Sequence, residues 1–198
     1  MFLQKNSEKI LFAILLLILF PYLYLAFFTH PVADDFSFTV TRNHLGLIES
    51  LKYEYFHWSG RYCADLMQLV NPIVSNNFFL YKIFSVALIF FSLASIYFFI
   101  RTITQKSLSI IYCLNISLFI LLMHLFLMPS LAQGIYWYTS SVAYYLGIIV
   151  TMIYFSVLLN YINKKFFLHK IFPKTRSLRA GFPLHSPCVK PHARICFQ

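Results

Sequence analysis

Charged residues are scarce in this chain of 198 residues. Asp, Glu, Lys and Arg make up 11% of it, whereas a typical soluble domain has about 25%. Apolar residues make up 60% and aromatic residues 20%. So many Phe and Tyr side chains do not fit inside one water-soluble core of this size. The composition therefore excludes a soluble globular enzyme and an intrinsically disordered protein, and it indicates a membrane protein.

Glycine and cysteine are also scarce, and recognisable catalytic motifs are missing. The five glycines form no Gly-rich phosphate loop, and the sequence has no Ser-His-Asp order and no His-x-x-x-His pair. None of the four cysteines is paired at metal-ligand spacing, and the topology predicted below separates Cys63 from Cys188 and Cys196. We therefore predict neither a disulfide nor a zinc site.

Four apolar stretches are long enough to cross a bilayer, which takes about 20 helical residues. They cover residues 10–28, 78–100, 109–128 and 142–162. The first stretch is longer than the apolar part of a signal peptide, so we expect an uncleaved helix. The sequence predicts an all-α integral membrane bundle over residues 1–172, with four transmembrane helices, outer loops 29–77 and 129–141, and short interfacial helices in the first outer loop.

Lys and Arg flank these spans unevenly. Two precede the first span, two lie between the second and third, and eight follow the fourth; the two outer loops contain three, with Lys82 at their boundary. Because cations accumulate on the cytoplasmic side, this pattern predicts that both termini are cytoplasmic. The formal net charge of +10 then reflects topology and contact with anionic membrane lipid, and nucleic acid need not be a partner.

The composition changes after about Phe172. Residues 173–198 contain four Pro, five Lys or Arg and no acid, and they show no hydrophobic period. We interpret this segment as a basic cytoplasmic tail that is disordered, or as out-of-frame translation joined to a truncated gene.

Acidic residues are the rarest charged type, and five of the six lie in the first outer loop. Asp34 and Asp35 follow the first span directly. Such a pair can act as a general base or hold a divalent metal ion beside a lipid-anchored substrate. The alternative is a solvated loop start with one Asp capping a helix. Because no acid lies within a span, a proton- or ion-coupled transporter is disfavoured.

Farther along the same loop, apolar residues recur at helical spacing. Ile48, Leu51, Tyr55, Trp58 and Tyr62 are separated by steps of three and four, which predicts a helix in the plane of the membrane interface. Gly60 should break this helix, and a second short helix should continue to Asn71-Pro72.

Arg61 and the aromatic residues of the two outer loops are candidate ligand contacts. Arg61 matches a phosphate in shape and charge, but the sequence by itself favours a surface ion pair with Asp65. In the second outer loop, Tyr136 and Trp137 fit an aromatic belt at the lipid boundary or, alternatively, a sugar-binding surface.

Three segments together carry a family resemblance: Ala33-Asp34-Asp35-Phe36 after the first span, Trp58-Ser59-Gly60-Arg61-Tyr62, and Tyr136-Trp137. Over roughly residues 5–165 the chain resembles the N-terminal part of bacterial polytopic membrane glycosyltransferases of the GT-C type. It looks closest to an uncharacterised group from Bacteroides-like bacteria with an Asp-Asp-aromatic and a Trp-x-Gly-Arg element.

The resemblance implies transfer of a sugar from a polyprenyl-phosphate donor outside the bacterial cytoplasmic membrane, in cell-envelope glycan assembly. It implies Asp34 or Asp35 as the catalytic base, and contacts to sugar or phosphate from Trp58, Arg61, Tyr136 and Trp137. We therefore expect Asp34, Asp35 and Arg61 to converge at the outer membrane face, near Tyr136 and Trp137.

The number of spans departs from the resemblance, because such enzymes usually have more than four. We therefore expect a fragment that is inactive by itself. The alternative is a non-enzymatic accessory or scaffold protein of four membrane helices.

Overall fold

The computed structural model describes residues 2–105 and 107–171, and these residues form helices and no strand. The α-helices in this part are α1 (Phe2–Leu25), α2 (Asp34–Leu45), α3 (Leu47–His57), α4 (Tyr62–Leu69), α5 (Phe78–Ile103), α6 (Ile110–Leu127), α7 (Tyr138–Ser140) and α8 (Leu146–Ile171). The predicted all-α fold is confirmed. The predicted tail over residues 173–198 lies outside the described residues.

Four helical stretches are long and apolar enough to cross a membrane: Asn6–Phe28, Phe78–Ile103, Ile110–Leu127 and Tyr138–Lys164. Between 17% and 39% of their most apolar windows is buried within the protein. The faces of these helices that are not buried within the protein are also apolar, and lipid has to cover them. This is therefore a membrane protein. The four predicted spans are confirmed, although the last one begins at Tyr138 rather than at residue 142.

The α6 helix is central to the bundle, because α1 and α5 both pack against it. Buried leucines form this contact, among them Leu19, Leu88, Leu121 and Leu125. Polar pairs join the last span to α5: the Ser92 hydroxyl donates to the Tyr145 hydroxyl at 2.8 Å, and the Asn160 amide donates to the Thr102 hydroxyl at 3.1 Å. Hydrogen bonds between membrane helices of this kind stabilise their association.

The segment between the first and second spans folds into α2, α3 and α4, which are separated at two glycines. Gly46 and Gly60 have φ values of +77° and +63°, which glycine adopts without steric cost. The predicted break at Gly60 is confirmed, since α3 ends at His57 and α4 begins at Tyr62. The three helices share a small core of Phe38, Leu51 and Leu69.

The start of α2 differs from the alternative in which one Asp caps the helix. Ala33 occupies the cap position, and Asp34 and Asp35 both lie in the first turn. A carboxylate in the first turn is favoured by the partial positive charge at a helix N-terminus. The alternative of an Asp cap is therefore wrong, and the two acids begin the helix itself.

The apolar stripe predicted for an interfacial helix is largely exposed. Ile48, Tyr55, Trp58 and Tyr62 are 69%, 41%, 79% and 58% exposed, whereas Leu51 packs inward at 8%. These large apolar side chains are exposed next to the membrane spans, which is suited to contact with lipid.

Candidate functional site

Asp35 is fully buried, and four hydrogen bonds hold its carboxylate. The Thr139 backbone N–H and hydroxyl donate to Oδ1 at 3.0 and 2.6 Å. The Tyr81 hydroxyl and the Val32 backbone N–H donate to Oδ2 at 2.8 and 3.1 Å. With two donors on each oxygen, Asp35 ties the beginning of α2 to α5 and to α7.

These four donors decide whether the acidic pair can hold a divalent metal ion, which the sequence left open. An ion shared by Asp34 and Asp35 would have to displace hydrogen bonds that already satisfy the Asp35 carboxylate. In the described part of the chain, no group of three or more His, Cys, Asp or Glu side chains is placed to hold a metal. The acidic pair does not fit a metal site, and the chemistry proposed below assigns no step to one.

Asp34 has the opposite surroundings. Its side chain is exposed and lines a cavity of about 220 Å³, which we call the polar cavity. The other residues that line this cavity include Trp58, Arg61, Gln68, Trp137, Thr139 and Tyr144. Of the six residues predicted for the site, Asp34, Trp58, Arg61 and Trp137 therefore share one cavity. Asp35 lies behind it, bonded to Thr139 of its wall.

The guanidinium group of Arg61 lies over an aromatic ring. The guanidinium carbon lies 5.6 Å from the centre of the Tyr144 ring, within the range of a cation–π contact. The surface ion pair expected between Arg61 and Asp65 does not form: among the side chains described within residues 6–105 and 107–164, the one ion pair joins Lys52 to Glu49. That expectation failed because Asp65 is fully buried beneath the loop. The Arg61 fork is thus left available to an anion.

Asp65 instead shapes the loop that carries Trp58 and Arg61. Its carboxylate accepts a hydrogen bond from the Ser59 hydroxyl. The Ser59 oxygen in turn accepts from the Arg61 backbone N–H at 3.1 Å. Together with the positive φ of Gly60, these contacts fix the turn between α3 and α4. The Ser-Gly portion of the motif therefore has a local structural role.

Glu54 is a second acid that the sequence did not single out. It is 7% exposed and lines a neighbouring cavity of about 300 Å³ together with Asp34, His57 and Trp58. Burial, and next the charge of Asp65, raise the pKa of the Glu54 carboxyl. The Oδ2 atom of Asp65 is buried and has no hydrogen-bond partner among the described residues. Two carboxyl groups thus lie close together under the loop.

Two neutral side chains of the polar cavity also carry unpartnered polar atoms. Gln68 is 2% exposed, and its amide nitrogen donates to the Thr139 carbonyl at 3.2 Å. The Gln68 Oε1 and Trp137 Nε1 atoms are buried without a partner among the described residues. Leaving a buried polar atom unbonded costs about 1–3 kcal/mol, so such atoms need an explanation.

Tyr136 faces away from the polar cavity. Its hydroxyl donates to the Tyr22 carbonyl at 2.8 Å, and burial raises the pKa of the Tyr136 phenol to about 12, so it remains a donor. Tyr136 and Trp137 line an apolar groove of about 470 Å³ with Leu25, Phe28 and Leu131. The structure therefore separates the predicted aromatic pair: Trp137 borders both spaces, and Tyr136 only the groove.

Comparisons with protein-family models, curated proteins and solved structures find no match to this chain. The sequence did not identify Gln68, Tyr81 and Thr139, which hold or line this site. Each lies far along the chain from Asp34, and no local motif marks them.

Proposed function

We propose that this protein is a glycosyltransferase-type membrane protein whose polar cavity receives the head of a polyprenyl-phosphate-linked sugar. The observation that supports it is the polar cavity beside the end of the first span. Asp34 and Arg61 both line this cavity. The Asp34 side chain is exposed, and Arg61 has no carboxylate partner among the described residues. A base and a phosphate-binding cation at membrane depth are what this transfer requires.

In the proposed reaction, Asp34 removes the proton from an acceptor hydroxyl as its oxygen attacks the anomeric carbon of the sugar. The bond between that carbon and the phosphate oxygen breaks, and the polyprenyl phosphate leaves with the electron pair. Arg61 stabilises the charge that develops on the leaving phosphate. Asp35 holds α2 in place behind Asp34, so the base is positioned by its neighbour.

The apolar groove suits the lipid part of such a donor. It is lined by Leu25, Phe28 and Leu131 and shares the lining residue Trp137 with the polar cavity. An isoprenoid chain in the groove would place its phosphate at the border between lipid and polar cavity.

The proposal places this cavity on the outer face of a bacterial cytoplasmic membrane, with both termini inside. A reporter fused at residue 45 is expected to lie outside the cytoplasmic membrane, and one fused at residue 104 is expected to lie in the cytoplasm. The reason is that most of the Lys and Arg residues next to the spans are on the same side as residue 104. The same orientation for both fusions, or the reverse one, would contradict the proposed topology.

Donor binding should depend on Arg61. We expect Arg61→Gln to weaken binding of a C10 isoprenyl phosphate to the protein in nanodiscs at least tenfold, or ~1.4 kcal/mol, because the charge-assisted contact is lost. Arg42→Gln is the matched control, since Arg42 is an outer-loop cation on α2 that does not line the polar cavity. Equal effects of the two substitutions would favour the accessory or scaffold function over this one.

The role of Asp34 concerns the chemical step. In any preparation that transfers sugar, Asp34→Asn should lower turnover at least tenfold, because general base catalysis contributes about 10²–10⁴-fold. If the Asp34→Asn protein turns over at a rate close to that of the wild type, Asp34 is eliminated as the base.

A further inference from the structure

Two residues that line the polar cavity, Gln68 and Trp137, carry a buried acceptor and a buried donor that the proposed reaction does not use. Because the Thr139 carbonyl can only accept a hydrogen bond, the Gln68 amide must turn its nitrogen towards it. The carbonyl end, Oε1, is thereby fixed on the other side of the amide and has no partner within the described residues. Gln68 is 2% exposed, so this acceptor is built into the wall and is not a mobile surface group.

The donor is the indole N–H of Trp137. This atom is buried and likewise lacks a protein acceptor in the described part of the chain. Trp137 lies between the π-helical segment Ala132–Tyr136 and the helical turn α7, so its backbone is held from both sides. Wide π-helical turns are rare and are often found at functional sites.

We propose that Gln68 Oε1 and Trp137 Nε1 recognise hydroxyl groups of the sugar ring, so that this pair selects the glycosylated lipid over the bare lipid phosphate. A hydroxyl group can donate to the amide oxygen and accept from the indole N–H, whereas a fully ionised phosphate can only accept and an alkyl chain can do neither. The aromatic side chains of Trp58 and Tyr144, which line the same cavity, offer apolar surface to the C–H side of a sugar.

The proposed sugar contacts differ in charge from the proposed phosphate contact. Gln68 and Trp137 are neutral, whereas Arg61 supplies the cation of the cavity. A site that hydrogen-bonds substrate hydroxyls rejects an analogue without them, because its buried polar atoms are then left unbonded. The inference rests on the proposed function, since the sugar reaches the cavity attached to the phosphate that Arg61 binds.

The test compares two ligands of equal charge. A C10 isoprenyl phosphohexose, prepared with glucose, mannose or galactose, and C10 isoprenyl methyl phosphate are both phosphodiesters with one negative charge. Binding to the protein in nanodiscs is followed by tryptophan fluorescence, because the only two tryptophans of the chain, Trp58 and Trp137, both line the cavity.

For the wild type, at least one phosphohexose is expected to bind at least tenfold more tightly than the methyl phosphate. Trp137→Phe keeps the aromatic ring and removes the N–H, and should reduce this preference to below about threefold, with Trp58 as the remaining reporter. Tyr62→Phe, a conservative change outside the cavity, should leave the preference intact.

The outcomes separate this inference from the proposed function. If the wild type binds the methyl phosphate and all three phosphohexoses equally, and Arg61→Gln weakens them all, the phosphate site stands and the sugar contact is overturned. If no isoprenyl phosphodiester binds, the proposed function and this inference both fail. A preference that persists in the Trp137→Phe protein would overturn the assignment of the donor.

Discussion

Replacing Asp35 with alanine is expected to lower the free energy of unfolding by about 3–5 kcal/mol. The substitution would leave the Thr139 N–H and hydroxyl, the Tyr81 hydroxyl and the Val32 N–H without their acceptor. Each such loss costs about 1–3 kcal/mol, and losses within one network do not simply add. Unfolding of the detergent-solubilised protein, followed by circular dichroism, measures the effect.

Asp34→Ala is the matched control, because it removes the same group one residue away. Asp34 is exposed and contributes to the fold only through its place in the first turn of α2, worth about 0.3–1 kcal/mol. We therefore expect a change of at most about 1 kcal/mol. Similar losses for the two proteins would show that the carboxylate of Asp35 does not hold the outer segments together.

Replacing Glu54 with glutamine is expected to stabilise the protein at neutral and alkaline pH and to have no effect in acid. Because burial and the charge of Asp65 raise the pKa of Glu54, the folded state holds this proton more tightly than the unfolded state. Stability is therefore lost as the pH rises above the ordinary value of 4.5 and through the raised pKa. Glutamine stays neutral and avoids that loss.

Melting temperatures measured between pH 4 and pH 8 would show this difference. The wild type and the Glu54→Gln protein should coincide at the acid end and separate as the pH rises. Glu49→Gln is the control, since Glu49 is exposed and paired with Lys52 at 2.8 Å. If the difference in melting temperature between the wild type and the Glu54→Gln protein is constant across the pH range, ionisation of buried Glu54 does not destabilise the folded state.

The spans and the interfacial helices could be predicted from the sequence because their signals are local. A run of about 20 apolar residues gives a membrane helix in almost any context. Glycine adopts a positive φ without steric cost, so Gly60 favours a helix end at its position. Asp34, Trp58 and Arg61 line one cavity, but their grouping was expected from the family resemblance and not from a local signal.

The two adjacent acids could not be distinguished from the sequence. Asp34 and Asp35 differ only in where α2 turns them, and that depends on Tyr81 and Thr139, which lie 46 and 104 residues beyond Asp35. The same holds for Asp65, whose burial excluded the ion pair with Arg61 that its spacing favoured. Packing against residues far along the chain determines which of these acids is buried, and no local sequence pattern indicates it.

The distance along the chain between Asp35 and its partners has a consequence for biosynthesis. At about 5–20 residues per second, Thr139 is synthesised roughly 5–20 s after Asp35, which lies 104 residues earlier. Before then the carboxylate can be bonded to Val32 nearby and, once the second span has been made, to Tyr81. Its last two donors, the Thr139 N–H and hydroxyl, are supplied at the beginning of the fourth span. The Asp35 site is therefore completed last, and a fully bonded Asp35 marks a chain in which the beginning of the fourth span has joined the bundle.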